Sequence, residues 1–340
     1  MTDRPHRLVD LGLQGGGAHG AFTWGVLDRL LEEDWLEFDG ISGTSAGAMN
    51  AAVCVDGLAA GGRDGARAAL EAFWRAVADA ARLSPMQRGP MERILGLWTL
   101  DFSPVFLAME AGARMVSPYD LEPLAGNPLG AILERSVDFD RLAKAPVKLF
   151  VNATNVCTGR GRIFRNAEIT PQVLMASACL PTMFQAVEIE GEAYWDGGFS
   201  GNPALMPLIR ECRSHDTILV QINPIRRPEP PRSARDIQNR LNEVAFNSVL
   251  IKELRALALV RGVVDPGTGD GALVKAMRMH RIASDIMLDL GYSSKLLAEW
   301  SFFLHLRDAG RAAAQAFLDA HADDIGERSS LDLDSYLEGV

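Results

Sequence analysis

Cysteine is scarce in this sequence, and long apolar runs are missing. Only four of its 340 residues are cysteines, and no two of them form a C-x-x-C pair. In a chain of this length, such scattered cysteines are expected to be reduced and to serve as small apolar side chains. No stretch of transmembrane length is free of charges, and residues 1–7 do not resemble a signal peptide. We therefore expect a cytoplasmic protein whose membrane contact, if it has one, is peripheral.

Positive charge is also in short supply. The sequence has 34 lysines and arginines against 44 acidic residues, which gives a net charge of −10. This balance argues against nucleic-acid binding and against simple electrostatic docking on anionic lipid, but it leaves apolar insertion into a membrane open. No spacing of acids and histidines matches H-E-x-x-H or an EF-hand loop. We expect neither a metal nor a cofactor.

Strand-like and helix-like segments alternate in the first part of the chain, which predicts a mostly parallel sheet covered by helices. Residues 1–225 are interpreted as one α/β domain. Within it, residues 84–128 are rich in Pro, Gly and Met and have no regular period. We interpret them as a helical insertion, either packed on the sheet or acting as a lid, with packed helices favoured. Strands are predicted at residues 8–13, 38–42, 147–155, 162–165, 186–189, 193–195 and 217–222.

A proline- and arginine-rich segment at residues 223–232 marks a loop, and beyond it the pattern is helical. Residues 233–340 are predicted to form a helical C-terminal region packed on the same domain, with long helices at 234–261 and 296–320. The second of these carries an apolar stripe. We interpret the stripe first as core packing, second as a homodimer contact and third as a membrane contact. Its members are Trp300, Phe303, Leu304 and Phe317.

The strongest local signal is the pentapeptide Gly43-Thr44-Ser45-Ala46-Gly47, which stands between an apolar strand-like run and an Ala-rich helical run. Small residues on both sides of a serine permit a sharp strand-to-helix turn, which presents the hydroxyl at the carboxyl edge of the sheet. A serine here could also be an ordinary helix N-cap. Its place after a buried strand favours a nucleophile, with both glycines in supporting roles.

A second signal is the run Gly15-Gly16-Gly17-Ala18-His19-Gly20, which follows the first predicted strand. Glycine-rich backbone beside a nucleophile can direct N–H groups at a developing oxyanion. The run also fits the G-x-G-x-x-G dinucleotide pattern. That pattern requires an acid near the end of the second strand, whereas Asp39 lies at its start. A Walker-type phosphate loop is disfavoured because no Gly-Lys-Ser/Thr follows.

The activating base for Ser45 is not evident among the six histidines, none of which lies at a strand end that resembles a catalytic loop. Asp196 does follow a strand, and Gly197 and Gly198 come directly after it. An Asp-Gly pair alone is an ordinary turn. Together with Ser45 and the glycine loop, it favours a carboxylate base with supporting glycines.

A Ser-Asp-His triad is the alternative arrangement, because a histidine such as His215 or His280 would follow Ser45 and Asp196 in a compatible order. The fold with that triad normally places several strands before its nucleophile, whereas only two precede Ser45.

Three motifs in this order resemble the patatin-like phospholipase family, over about residues 8–222. The resemblance implies a three-layer α/β/α fold and a lipid acyl hydrolase with a serine–aspartate dyad, here Ser45 and Asp196. It implies an oxyanion hole at Gly15, Gly16 and Gly17, and His19 departs from the family's usual Arg or Lys. The motifs are G-G-G-A-H-G at 15–20, G-T-S-A-G at 43–47, and M-A-S-A-C-L-P at 175–181 running on to Y-W-D-G-G-F-S-G-N-P at 194–203.

The expected partner is a lipid or other acyl ester. Phospholipids, neutral lipids, lysolipids and storage polyesters of short hydroxy acids all fit the sequence. A non-catalytic regulatory protein that holds an acyl ligand on the same fold is an alternative, against which the intact Ser45 and Asp196 argue.

Overall fold

The computed structural model describes residues 4–113, 115–120, 127–262 and 268–338. Eight strands in these residues form one sheet. Seven of them were predicted, with bounds that agree within two residues, and the eighth lies in the C-terminal region. The strands are β1 (Arg7–Leu13), β2 (Leu36–Gly43), β3 (Lys148–Asn155), β4 (Gly161–Arg165), β5 (Val187–Ile189), β6 (Glu192–Asp196), β7 (Asp216–Val220) and β8 (Arg278–Ile282).

The strand order is β5-β6-β3-β2-β1-β7-β8, and β4 pairs with β3. Neighbouring strands from β3 across to β8 are parallel, whereas β4, β5 and β6 pair antiparallel. The prediction of a mostly parallel sheet is confirmed. Parallel strands end at the same edge, so the loops after β1 and β2 meet there.

The register of β3 places the end of β6 next to the end of β2. Gly43 of β2 pairs with Val151, and Asp196 of β6 pairs with Ala153, two residues further along β3. Since Ala153 also pairs with Arg162 of β4 on its other edge, β6 lies on the same edge of β3 as β2. Asp196 therefore stands directly beyond the carboxyl end of β2.

Helices cover the sheet on both faces. Leu11 and Leu13 of β1 belong to one apolar core, which also contains side chains of the helices at 20–30, 46–80 and 300–321. Leu219 of β7 belongs to a second core, with side chains of the helices at 206–211, 234–261 and 270–276. The three-layer expectation is confirmed. No helix in the described residues is both long and apolar enough to cross a bilayer. The helices are α1 (Gly20–Leu30), α2 (Ala46–Ala80), α3 (Pro90–Ile94), α4 (Pro104–Gly112), α5 (Pro128–Ser136), α6 (Phe139–Leu142), α7 (Pro171–Ser177), α8 (Met206–Glu211), α9 (Ala234–Arg261), α10 (Asp270–Ala276) and α11 (Trp300–His321).

The C-terminal region is helical but also contributes β8, which pairs parallel with β7. This strand has the sequence Arg-Met-His-Arg-Ile and is not predicted from the sequence. The apolar stripe of α11 packs into the main core, where Phe303 and Phe317 are buried and Trp300 and Leu304 are half-buried. The core-packing interpretation of the stripe is confirmed.

The insertion at 84–128 contains α3 and α4, and residues 114 and 121–126 lie outside the described part. Leu100 and Phe106 anchor the insertion in the core, whereas many of its other apolar side chains are exposed. Tyr119 Oη accepts a hydrogen bond from the Ala186 N–H at 3.0 Å, so the insertion touches the segment before β5. The exposed apolar side chains include Met91, Ile94, Leu95, Phe102, Val105 and Met115.

Helices α1 and α11 approach closely through two glycines. A Cβ at Gly310 would lie 2.1 Å from the Phe22 carbonyl oxygen, and one at Gly25 would lie 1.9 Å from the Arg307 carbonyl oxygen. We expect Gly310→Ala to lower the free energy of unfolding by about 3 kcal/mol, because the two backbones must separate. Thermal unfolding followed by circular dichroism measures this loss.

Gly130→Ala is the matched control. Gly130 lies in α5, and a Cβ there would meet nothing within 4 Å. Alanine is the better helix former, so this variant should unfold at the wild-type temperature or slightly above it. Equal unfolding temperatures for Gly310→Ala and Gly130→Ala would show that the α1–α11 contact is not tight.

Candidate active site

Ser45 occupies a strained turn between β2 and α2. Its φ of 55° and ψ of −123° are unusual for a residue with a side chain. The flanking glycines are required by close contacts, because a Cβ at Gly43 would lie 2.6 Å from the Gly47 carbonyl oxygen, and one at Gly47 would lie 2.3 Å from that of Leu13. The turn has the form that the sequence predicts.

Two side chains that sequence analysis did not single out hold this turn. Ser177 Oγ accepts a hydrogen bond from the Ser45 N–H at 2.9 Å and donates one to the Asn152 carbonyl oxygen at 2.7 Å. Asn152 Nδ2 donates to the carbonyl oxygens of Gly197 and Gly201, at 2.7 and 3.0 Å. The same side chains thus tie the Ser45 turn to the loop after β6. A polar Asn in the buried strand β3 was the available sequence signal.

Asp196 ends β6 and is only 2% exposed. Its Oδ1 accepts a hydrogen bond from the Gly198 N–H at 2.7 Å, and the Ser45 side chain is close enough to lower the pKa of the Asp196 carboxyl group. Glycine is required at Gly197, where a Cβ would lie 2.1 Å from the Asn152 carbonyl oxygen. The structure therefore brings the predicted nucleophile and the predicted base together.

Burial raises the pKa of Asp196 from 3.8 to about 6. The hydrogen bond from Gly198, the influence of the Ser45 side chain and the positive charge of Lys295 act in the opposite direction and limit the rise. The result is a carboxylate that is ionised at neutral pH and more basic than an exposed aspartate. Such a group is suited to accept a proton from a neighbouring hydroxyl.

The glycine loop after β1 contributes unequally to the site. The N–H of Gly15 already donates to Asn202 Oδ1 at 2.7 Å. Gly16 and Gly17, in contrast, line the same cavity as Ser45 and Asp196. Gly17 has a φ of +60°, and a Cβ there would lie 2.4 Å from the Lys295 carbonyl oxygen. Of the three predicted oxyanion donors, Gly16 and Gly17 are the two at the cavity wall.

The cavity that joins these groups has a volume of about 250 Å³. Asp196 and Lys295 are the charged residues in its described lining. The remaining wall is mostly apolar, which suits an acyl chain better than a polar ligand. Its apolar members include Met49, Phe73, Val77, Met183, Phe184 and Phe303.

None of the six histidines, all of which lie in described residues, lines this cavity. His215 is exposed next to the start of β7, and buried His280 contacts Asp216 Oδ1 through Nε2 at 3.1 Å. The His19 ring contacts Ser294 Oγ at 2.8 Å, and burial followed by the charge of Lys295 lowers its pKa well below the usual value. The Ser-Asp-His arrangement is therefore not supported, because no histidine lines the cavity that contains Ser45.

One cluster in the described residues has ligand atoms close enough for a metal, namely Asp10, Asp39 and Cys212. Arg213 donates to both carboxylate oxygens of Asp39. Burial raises the pKa of Asp10 to about 8, so that carboxyl is protonated at neutral pH. The Asp39 carboxylate is already ion-paired with Arg213, and the cluster does not line the Ser45 cavity.

Lys295 is a charged residue of the cavity that the sequence does not predict. It lies in a short 3-10 helix, Ser293–Leu296, and nothing in its local sequence distinguishes it from a surface lysine. Burial lowers the pKa of Lys295 to about 8, although the charges of Glu243 and Asp196 oppose this shift. Lys295 therefore adds a positive charge to the site, whereas His19 of the glycine loop is neutral.

Comparison with solved structures finds matches of low sequence identity. VipD from Legionella pneumophila is 15% identical with a TM-score of 0.38, over 98% of this chain and 79% of that chain. The type III effector ExoU is 16% identical with a TM-score of 0.35, over 93% of this chain and 53% of that chain. This chain therefore spans about half the length of that ExoU chain.

Comparison with curated protein sequences gives no significant match. A family model described as Patatin-like phospholipase does match, over residues 11–209. The matched segment is more than half of the chain and contains Ser45, Asp196 and the glycine loop. The chain belongs to the patatin-like phospholipase family, whose members are generally lipid acyl hydrolases.

Proposed function

We propose that the chain is a serine lipid acyl hydrolase, with Ser45 as the nucleophile and Asp196 as the general base. One observation carries the proposal: the strained Ser45 and the buried Asp196 line the same apolar cavity, and the Ser45 side chain is close enough to Asp196 to lower the pKa of its carboxyl group. Backbone strain concentrates at functional sites, and a nucleophile needs an adjacent base. Membership of the family supports a lipid as the substrate.

In the first half of the reaction, Ser45 Oγ forms a bond to the ester carbonyl carbon while its proton passes to Asp196. The N–H groups of Gly16 and Gly17 would stabilise the resulting oxyanion, whereas Gly15 positions the loop through its bond to Asn202. Collapse of the tetrahedral intermediate breaks the bond to the alcohol, which takes the proton from Asp196. The product of this half is an acyl-enzyme.

In the second half, water attacks the acyl carbonyl carbon and gives its proton to Asp196. The bond to Ser45 Oγ breaks, the serine oxygen takes that proton back, and the carboxylic acid is released. The two halves together consume one ester and one water. The raised pKa of Asp196 helps in both, because a base with a pKa near 6 is closer to the working pH.

The surface beside the cavity fits a lipid interface. Phe184 lines the cavity and is 39% exposed, and the exposed apolar side chains of the insertion lie on the segment that contacts Ala186. Exposed apolar patches mark interaction sites, and these side chains belong to segments that contact each other through Tyr119 and Ala186. We infer peripheral contact with a lipid surface, made through apolar groups, because the net charge of −10 opposes attraction to anionic headgroups.

A fluorophosphonate probe tests the proposal, because such probes form a covalent adduct with activated serines. We expect one adduct per chain, on the peptide that contains Ser45, when the native protein is analysed by mass spectrometry. Heat-denatured protein is the control and should not react, because the adjacent Asp196 and the strained turn exist only in the fold.

The two alternatives give different results. A non-catalytic protein that only holds an acyl ligand would form no adduct, and that outcome would contradict the proposal. An adduct on another serine would place the nucleophile elsewhere and would contradict it equally. A Ser-Asp-His enzyme would label at Ser45 but would lose labelling when His215 or His280 is replaced, although neither lines the cavity.

A further inference from the structure

Lys295 is held at the cavity wall by contacts that reach beyond its own helix. Its carbonyl oxygen packs against Gly17, which tolerates no side chain there. Its ammonium donates a hydrogen bond to Asn223 Oδ1 at 2.8 Å and lies 5.6 Å from the centre of the Phe246 ring. Asn223 Nδ2 donates in turn to the Gly15 carbonyl oxygen at 2.9 Å. Lys295 is therefore built into the same framework as the glycine loop.

The charge of Lys295 has no carboxylate partner among the described residues. Within the described residues, no carboxylate oxygen lies within 4 Å of its ammonium. Glu243 acts on it only at longer range and is already ion-paired with Arg227, at a short contact, and with Arg240 at 3.0 Å. Asp196 acts on it at longer range too. An unpaired cation among apolar groups is expensive to maintain, which points to a function.

The ammonium also has unused hydrogen-bonding capacity. A lysine has three N–H donors, and Asn223 accepts one of them. Lys295 lines the cavity that contains Ser45, and Asp196 is the other charged residue in its described lining. His19 cannot supply a second positive charge, because its pKa is lowered far below the usual value. Lys295 is thus the positively charged residue in the described lining of this cavity.

We propose that Lys295 binds an anionic group, a phosphate or a carboxylate, carried by the acyl-ester substrate, and so selects anionic over neutral esters. This inference rests on the proposed function, since it concerns the substrate of the same site. A charge-assisted hydrogen bond in a cavity of low polarity is stronger than one in water. The family match ends at residue 209, so this specificity comes from the C-terminal region.

Binding tests the inference without any chemistry. The Ser45→Ala variant and its double variants with Lys295→Met and Lys295→Arg are titrated with octyl phosphate, octanoate and octanol by calorimetry. Lys295→Met removes the charge and keeps the length of the side chain. We expect it to weaken the binding of octyl phosphate or of octanoate at least about tenfold. Octanol binding should change less than about twofold, because it has no charge. Lys295→Arg should restore most of the anion affinity.

Lys252→Met is the matched control, because Lys252 is an exposed residue of α9 away from the cavity lining. It should leave the binding of all three probes unchanged. A loss with octyl phosphate alone assigns a phosphate, and a loss with octanoate alone assigns a carboxylate. Unchanged anion binding by Lys295→Met overturns the inference, as does an equal loss of octanol affinity, which would indicate a structural role.

Ester hydrolysis by the wild-type catalytic residues separates this inference from the proposed function. We expect Lys295→Met to lower kcat/KM at least about tenfold for a short monomeric acylglycerol phosphate and less than threefold for the matched acylglycerol. If Lys295 acts on catalysis by changing the pKa of Asp196, both esters are affected equally. That effect therefore cancels in the ratio of their kcat/KM values. If no ester is hydrolysed although anion binding depends on Lys295, the proposed function fails and the anion site stands.

The selectivity should also depend on pH. Since the pKa of Lys295 is about 8, its positive charge is present below pH 8 and is lost as the pH rises through that value. Among the groups near it, Asp196 titrates lower, His19 is neutral, and burial raises the pKa of Tyr292 above its usual value. Glu243 is ion-paired. Octanoate binding should therefore weaken between pH 7 and pH 9, and a flat profile would contradict the assignment.

Discussion

Replacement of Ser45 by Ala is expected to lower kcat/KM for acyl esters by about 10⁴-fold or more, because alanine has no hydroxyl that could form the acyl-enzyme. A small residual rate should persist, since the cavity and the N–H groups of Gly16 and Gly17 are untouched. Initial rates with a short-chain nitrophenyl ester measure the loss. The fluorophosphonate adduct should disappear in parallel.

Ser42→Ala is the matched control for this variant. Ser42 lies three residues before Ser45, is buried, and donates its hydroxyl to the Ala204 carbonyl oxygen at 2.6 Å. Its loss should cost stability of about 1 kcal/mol and leave most of the activity. Activity that survives in Ser45→Ala, or that is lost equally in both variants, would rule out Ser45 as the nucleophile.

The Ser45 turn can be predicted from sequence because its requirements are local. Only small residues fit at positions 43 and 47, and a buried strand and a helix flank them, so the pattern is visible within a few residues. The sheet is predictable for a related reason. Its parallel strands are buried and read as short apolar runs between turn signals.

The contribution of each loop glycine cannot be predicted in this way. Gly15, Gly16 and Gly17 are equivalent as a sequence pattern. The structure separates them because Asn202, far along the chain, accepts the N–H of Gly15. A hydrogen bond between distant residues leaves no periodic signal. The same holds for Ser177, whose role depends on its contacts with Ser45 and Asn152.

Strand β8 and Lys295 are missed because both lie in a region with a mainly helical pattern. β8 pairs on one side only, at the end of the strand order, and contains Arg278 and Arg281, so it lacks the continuous apolar run of the central strands. Lys295 acts through its position beside Gly17, which only the packing of the C-terminal region against the first loop creates. Tertiary contacts, rather than local propensity, determine both features.

Replacement of Asp196 by Asn is expected to lower kcat/KM by about 10³-fold, because an amide cannot accept the proton of Ser45. The wild-type enzyme should lose activity as the pH falls, since the base must be ionised. With its pKa at about 6, kcat/KM for a neutral ester should level off above pH 6 and fall about tenfold per unit below it. A pH–rate profile from pH 4.5 to 7.5 measures both limits.

Asp216→Asn is the matched control. Burial acts to raise the pKa of Asp216, but hydrogen bonds from His280 and Arg278 outweigh it and hold that pKa well below the usual value. This variant should lose stability, because the ionised form is the one that the fold stabilises, and it should keep the wild-type pH profile. An unchanged profile in Asp196→Asn, or a shifted one in Asp216→Asn, would contradict the assignment of the base.

The stability of Asp196→Asn should change in the opposite direction to its activity. The pKa of Asp196 is higher in the fold, about 6, than its ordinary value of 3.8, so the folded state favours the protonated form. The contribution of Asp196 to the free energy of unfolding is therefore largest at low pH. It declines as the pH rises from about 4 to 6, and it is absent above that. Asparagine cannot ionise, so at pH 7.5 the variant should gain up to about 3 kcal/mol and unfold at a higher temperature. A protein that becomes more stable and inactive through one substitution retains the ionised carboxylate for its chemistry.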